Sequence, residues 1–106
     1  MNLTNDQRAG HNRALAAKAI MENELVLEAL STMRQHIFEV WRDEKLTAEQ
    51  REELHRMQMT LTRFVGVFDG YLQGGAEARS ILGLPPEEKT FMDRIKEYFN
   101  GNAQRA

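Results

Sequence analysis

Between residues 24 and 43 apolar side chains recur at helical spacing. Val26, Leu30, Met33, Ile37 and Val40/Trp41 fall on one stripe, which Leu27 and Phe38 widen. Steps of three and four residues return a side chain to the same face of an α-helix. A second stripe follows over 48–73, where Leu54, Met57, Leu61, Phe64, Phe68 and Tyr71/Leu72 repeat that spacing. Only Asp43-Glu44-Lys45-Leu46 and the capping-box pattern Thr47-Ala48-Glu49-Gln50 separate the two. Two long helices with near-heptad stripes and so short a loop predict an antiparallel helical hairpin.

The flanks are weaker. Residues 1–12 read as a flexible N-terminal arm, with Thr4, Asn5 or Asp6 available to cap an early helix. The stretch 13–21 (RALAAKAIM) consists of good helix formers and extends the hairpin domain to 13–82. Asn23 suits a helix N-cap. Gly74-Gly75 is expected to end the second long helix through the left-handed conformation that glycine tolerates, and Gly83 to close a short helix over 76–82. Pro85 and Pro86, the only prolines, mark a hinge over 83–86. Beyond it, 87–100 forms a last amphipathic helix with Phe91, Met92, Ile95, Tyr98 and Phe99 on its apolar side, stopped by Asn100-Gly101 ahead of a polar tail, 101–106. No alternating strand pattern occurs, so the expected fold class is all-α, a small helical bundle built on the hairpin.

Composition narrows the function classes. A chain of 106 residues makes one small domain with a modest core. Lys and Arg number 14 against 16 Asp and Glu, too even a balance to draw nucleic acid or an anionic membrane. The charge is nevertheless uneven: residues 1–21 carry Arg8, Arg13 and Lys18 against Asp6 alone, and the hairpin leans acidic. With 0 cysteines, disulfides, thiolate catalysis and Cys-ligated metals are excluded. The N-terminus lacks the apolar segment of a secretory signal, and no apolar run would span a bilayer.

Catalytic patterns are also missing. Ser31 and Ser80 sit in no nucleophile elbow, and there is no phosphate-binding glycine loop. Folding the hairpin about its loop brings His36 near His55, with Glu39 and Glu52 close by. The Glu-x-x-His pattern of di-iron bundles, however, occurs once only, at Glu52 and His55. The expectation is therefore no enzyme, no cofactor, no metal site and no small-molecule substrate.

What the pattern does supply is surface for other helices. Phe91, Met92, Ile95, Tyr98 and Phe99 need a cover, either on their own chain or on a neighbour's. Gly66 and Gly70, four apart on one helix, either weaken that helix locally or admit another backbone closely. Trp41 near the loop suits a core or interface anchor. These eight residues are the candidate protein-interface positions.

The run Ala19 to Leu30, then Trp41, then Arg51-Glu52-Glu53-Leu54 and an apolar helix ending in Gly74-Gly75, resembles small helical proteins of tailed bacteriophages encoded near head and packaging genes. The resemblance covers 19–75 and implies a structural or assembly component acting as a multimer, in the host cytoplasm or the virion. The function expected is thus a non-catalytic assembly protein that oligomerises or binds a capsid, portal or scaffold protein. A small regulatory protein that binds a host enzyme is the alternative, and a nucleic-acid-binding accessory protein using the basic arm ranks third.

Overall fold

A computed structural model of the chain describes residues 2–105, with side chains as far as residue 101. It contains α1 (Asn5–Met21), α2 (Glu24–Trp41), α3 (Ala48–Gln73), α4 (Ala76–Ile81) and α5 (Phe91–Arg105), and no strand among the described residues. The molecule is elongated, 61 × 33 × 18 Å. At about 1.5 Å per residue, α3 alone runs roughly 39 Å and sets the long axis.

Residues expected to form an arm are instead the opening turns of α1. Thr4 caps the helix: its hydroxyl accepts from the Gln7 amide at 3.1 Å, and its own amide donates to the Gln7 side chain at 2.9 Å. A reciprocal cap satisfies two of the amides that a helix start leaves free, so helix begins at Asn5. Asn23 caps α2 through the Val26 amide. Thr47 and Gln50 form the capping box of α3 as expected. In the intervening loop, the Arg51 guanidinium donates to the carbonyls of Trp41 (3.1 Å) and Asp43 (3.0 Å), tying the base of α3 to the end of α2.

The hairpin of α2 and α3 is present, and Leu30, Ile37 and Leu61 join one core cluster. It does not stand alone. The most extensive neighbour of α3 is α1, and that of α2 is α5. The α1 helix lays Ala14, Ala17 and Met21 along the C-terminal half of α3 and meets α4. An added Cβ on Gly75 would come within 2.5 Å of the Ala14 Cβ, and one on Gly10 within 2.8 Å of the Gly74 carbonyl oxygen. Gly74 and Gly75 are right-handed (φ −61 and −94), not left-handed as expected. Their role is to let α1 approach the α3–α4 corner. The left-handed glycine is Gly83 (φ 72), where Leu84 donates to the Arg79 carbonyl and Gly83 to that of Ser80, closing α4 in a Schellman motif.

The last helix starts later and runs longer than expected. Residues 84–90 form no regular element, and α5 begins at Phe91, after Thr90 and Asp93 have bonded each other's amides. It continues through Asn100 and Gly101, so the expected stop and the polar tail over 101–105 are helical; residue 106 lies outside the described residues. Glycine in a helix costs only about 1 kcal/mol, which does not force termination.

Candidate protein-binding surface

The C-terminal helix docks on its own chain. Phe91 and Ile95 are fully buried in the core cluster, and Met92 and Tyr98 pack against it half-buried. Arg94 reaches Glu22 at 3.3 Å, and Tyr98 and Phe99 line a groove with Glu28, Ser31, His36 and Glu39. The α5 helix therefore runs alongside α2 in the same direction. Of the two docking places left open by the sequence, the intramolecular one is occupied. Phe91 and Ile95 are thus core residues, not interface positions. The reason is geometric: α1 covers one flank of the hairpin and leaves the flank of α2 and Phe68 for α5. The Phe68 ring meets Phe91 edge-on at 5.4 Å.

Two polar clasps hold that docking. Asp69 of α3 accepts from the Phe91 backbone amide at 2.8 Å. Glu87, half-buried in the connector, gathers Lys18 at 2.7 Å, Arg79 at 3.4 Å and Arg94 at 3.7 Å. The Lys18 hydrogen bond holds the Glu87 carboxyl below its ordinary range; burial opposes the shift, and the charges of Lys18, Arg79 and Arg94 reinforce it. Asp93 is also lowered, by its bonds from the amide and hydroxyl of Thr90. The groove of about 370 Å³ beside this cluster, between α3, α4 and the connector, includes Asp69, Arg79, Glu87 and Lys89. Arg79 is spent on Glu87 and on the Pro85 carbonyl, so the groove is stapled from within.

Other chemistry finds no cluster. His36 and His55 are exposed, and no group of three or more His, Asp or Glu among the described residues could hold a metal ion. Ser31 is buried, and Ser80 is exposed at the edge of the α4 groove. No described helix is long and apolar enough to cross a membrane.

The stripe expected to face inward on α3 is split. Leu54, Leu61 and Leu72 are buried as expected and Phe68 is half-buried, but Met57, Phe64 and Tyr71 are exposed to 44%, 52% and 41%. Val65, which lies outside that stripe, is 2% exposed. The α1 helix draws the Val65–Leu72 side of α3 inward, which turns the Met57–Phe64–Tyr71 side out. Those three are seven residues apart. Thr60 and Val67 fall between them, also exposed, so that Met57, Thr60, Phe64, Val67 and Tyr71 recur at steps of three and four. This is a second heptad row, on the outside of the longest helix. Tyr71 at its end carries the Arg13 guanidinium 5.7 Å above its ring.

Gly66 and Gly70 are exposed on α3 away from the centre of this row, and a Cβ added to either would meet nothing within 4 Å. Neither admits a helix of this chain. Trp41, 42% exposed, lies at the far tip under the Arg51 guanidinium, 5.2 Å from its ring centroid. Of the eight candidate positions, Gly66, Gly70 and Trp41 face solvent, and the C-terminal five are wholly or partly spent internally. Met57, Phe64 and Tyr71, expected on the buried stripe, are surface instead. The signal that could have found them is in α1: Gly10, Ala14 and Ala17, at steps of four and three, form a small-residue face that demands a close helical neighbour.

Comparison with known proteins returned no match: no family model, no curated protein and no solved structure corresponds to this chain.

Proposed function

We propose that the chain is a non-catalytic protein-interaction module that works through the outer face of α3, in an assembly role of the phage structural type. The observation that carries this reading is the exposed heptad row Met57, Thr60, Phe64, Val67 and Tyr71. Scattered exposed apolar residues are ordinary on protein surfaces, but a row at coiled-coil spacing along one helix is a surface shaped for another helix. Fully covering a side chain such as Phe64 is worth about 1.5–3 kcal/mol, and a half-exposed one retains a share of that. The partner is a second copy of the chain or a capsid, portal or scaffold protein.

Site-specific photo-crosslinking tests this. A benzophenone side chain replacing Phe64 in producing cells should give discrete protein adducts. The same group replacing Glu44 in the exposed hairpin loop should give none. If Phe64 behaves like Glu44, the protein-binding reading of this face is lost.

A further inference from the structure

The fully buried anchors of α5 lie at its start. Phe91 and Ile95 belong to its first two turns, whereas Lys96, Glu97 and Asn100 are exposed and Tyr98 and Phe99 only half-buried. Ahead of the helix, Pro85 and Pro86 have no amide to give, and side chains tie the connector to the body. Arg79 holds it at the Pro85 carbonyl, at 2.8 Å, and again at Glu87. Glu87 is the knot: Lys18 of α1, Arg79 of α4 and Arg94 of α5 all lie within 3.7 Å of its one carboxylate. Glu22 of α1 shares Lys18 at 4.0 Å and Arg94 at 3.3 Å, and Asp69, Glu88 and Lys89 line the groove alongside. With the Glu87 charge gone, cations on three different helices would face one another with Glu22 alone to share. The side chains of Glu87, Arg79 and Arg94 are mostly buried, so salt and water would screen that repulsion weakly.

We infer that α5 and its connector form a latch, which opens as one unit about Gly83, with Glu87 as its catch, while α1–α4 stay folded. Gly83 already holds the left-handed conformation (φ 72), and residues 84–90 form no regular element whose hydrogen bonds would have to break. Elements that open locally are those with few buried apolar contacts, and α5 brings two fully buried side chains to the core. The body left behind keeps the packing of α1 on α3 and the pairing of α2 with α3. It also keeps the caps at Thr4, Asn23 and Thr47. Closed, the latch withholds two apolar faces: that of α5 itself and the flank of Phe68 that receives Phe91. The device does not depend on what meets the outer face of α3.

Hydrogen exchange of the full chain, resolved by residue, is the test. The amides of Ile95 to Gly101 should exchange together, about tenfold or more faster than the α3 amides around Leu61 and Val65. Glu87→Gln keeps the shape of the side chain and removes its charge. It should speed exchange in α5 by about tenfold or more while α3 keeps its protection. Acid should act on the parent protein in the same way, because protonation ends the Lys18 bond that holds the Glu87 carboxyl below its ordinary 4.5. Protection in α5 should therefore fall in acid in the parent protein and respond less in Glu87→Gln. Asp93, which also titrates in acid, is common to both. Glu22→Gln, at the more exposed carboxylate, should move α5 less than Glu87→Gln. Exchange of α5 in step with α3 makes the chain one cooperative unit and overturns the latch. So does a loss of protection in Glu87→Gln that is as large in α3 as in α5. Early opening of α5 that Glu87→Gln leaves unchanged removes Glu87 as the catch.

Discussion

The carboxylate of Asp69, on the inner side of α3, is the acceptor for the backbone amide of Phe91, the first residue of α5, at 2.8 Å. Thr90 provides the local cap for the Asp93 amide, so Asp69 satisfies a second free amide from a different helix. The bond joins residues 22 apart in sequence and fixes where α5 starts on the hairpin. Asp69→Ala should destabilise the protein by about 1–2 kcal/mol, the range for losing a charged acceptor at a helix start. Asp69→Asn, which keeps an oxygen and loses the charge, should cost less. Urea unfolding gives the magnitude, and faster exchange of the Phe91 amide would place the loss at α5.

Acid should loosen the same end of the molecule. The Glu87 carboxyl is held below its ordinary value of 4.5, first by the Lys18 hydrogen bond, and Asp93 below 3.8 by its bonds from Thr90. Both groups take up a proton less readily folded than unfolded. Their stabilisation is therefore whole above the unfolded values and is lost as the pH falls through the lowered folded ones. Thermal stability should drop as the pH falls below about 4.5, and the drop should be shallower in Glu87→Gln. The drop should also lessen in high salt, because Lys18 is partly open to solvent. A variant whose acid profile matches that of the parent protein would dismiss Glu87 as the clasp.

The two glycine pairs should respond oppositely to alanine. At Gly75 a Cβ would lie 2.5 Å from the Ala14 Cβ, so Gly75→Ala must push α1 off the α3–α4 corner. Overpacking of that kind costs about 1–3 kcal/mol. Gly66 and Gly70 meet nothing within 4 Å. Gly66→Ala and Gly70→Ala should each stabilise the monomer by about 0.5–1 kcal/mol, because alanine is the better helix former. Denaturant midpoints at low protein concentration, where association is absent, give both signs. Destabilisation by Gly70→Ala would mean a close neighbour at that position.

Local signals were the most legible part of the sequence. Asn23, the Thr47–Gln50 box and Gly83 act where they stand, because a cap or a turn depends on residues three or four apart. What was not legible is rotation. Leu54, Met57, Leu61, Phe64 and Phe68 form an equally good stripe whichever edge turns inward. The choice is made by α1, whose polar start reads as an arm even though Thr4 is among its candidate caps, and whose small face lies within a plain alanine-rich helix pattern. The docking of α5 was open for a related reason: its apolar side is unmistakable, but the acceptor that places it, Asp69, lies one helix away.

Phe68 stands between core and surface, its ring edge-on to Phe91 at 5.4 Å and to Phe64 at 5.3 Å. Its two neighbours should nevertheless behave differently. Phe91 is 0% exposed, and Phe91→Ala leaves a cavity where α5 meets α3, at a cost of about 3–5 kcal/mol. That is a large part of the roughly 5–15 kcal/mol that holds a small domain together, so α5 should come away or the chain unfold. Phe64 is 52% exposed, and Phe64→Ala should cost the dilute monomer less than about 1 kcal/mol. Where a second copy of the chain is the partner, Phe64→Ala should also lose the stabilisation that rises with protein concentration. Measuring melting temperature against concentration for both variants separates the two roles. Equal losses in dilute solution would place Phe64 in the core and close the outer face of α3 to any partner.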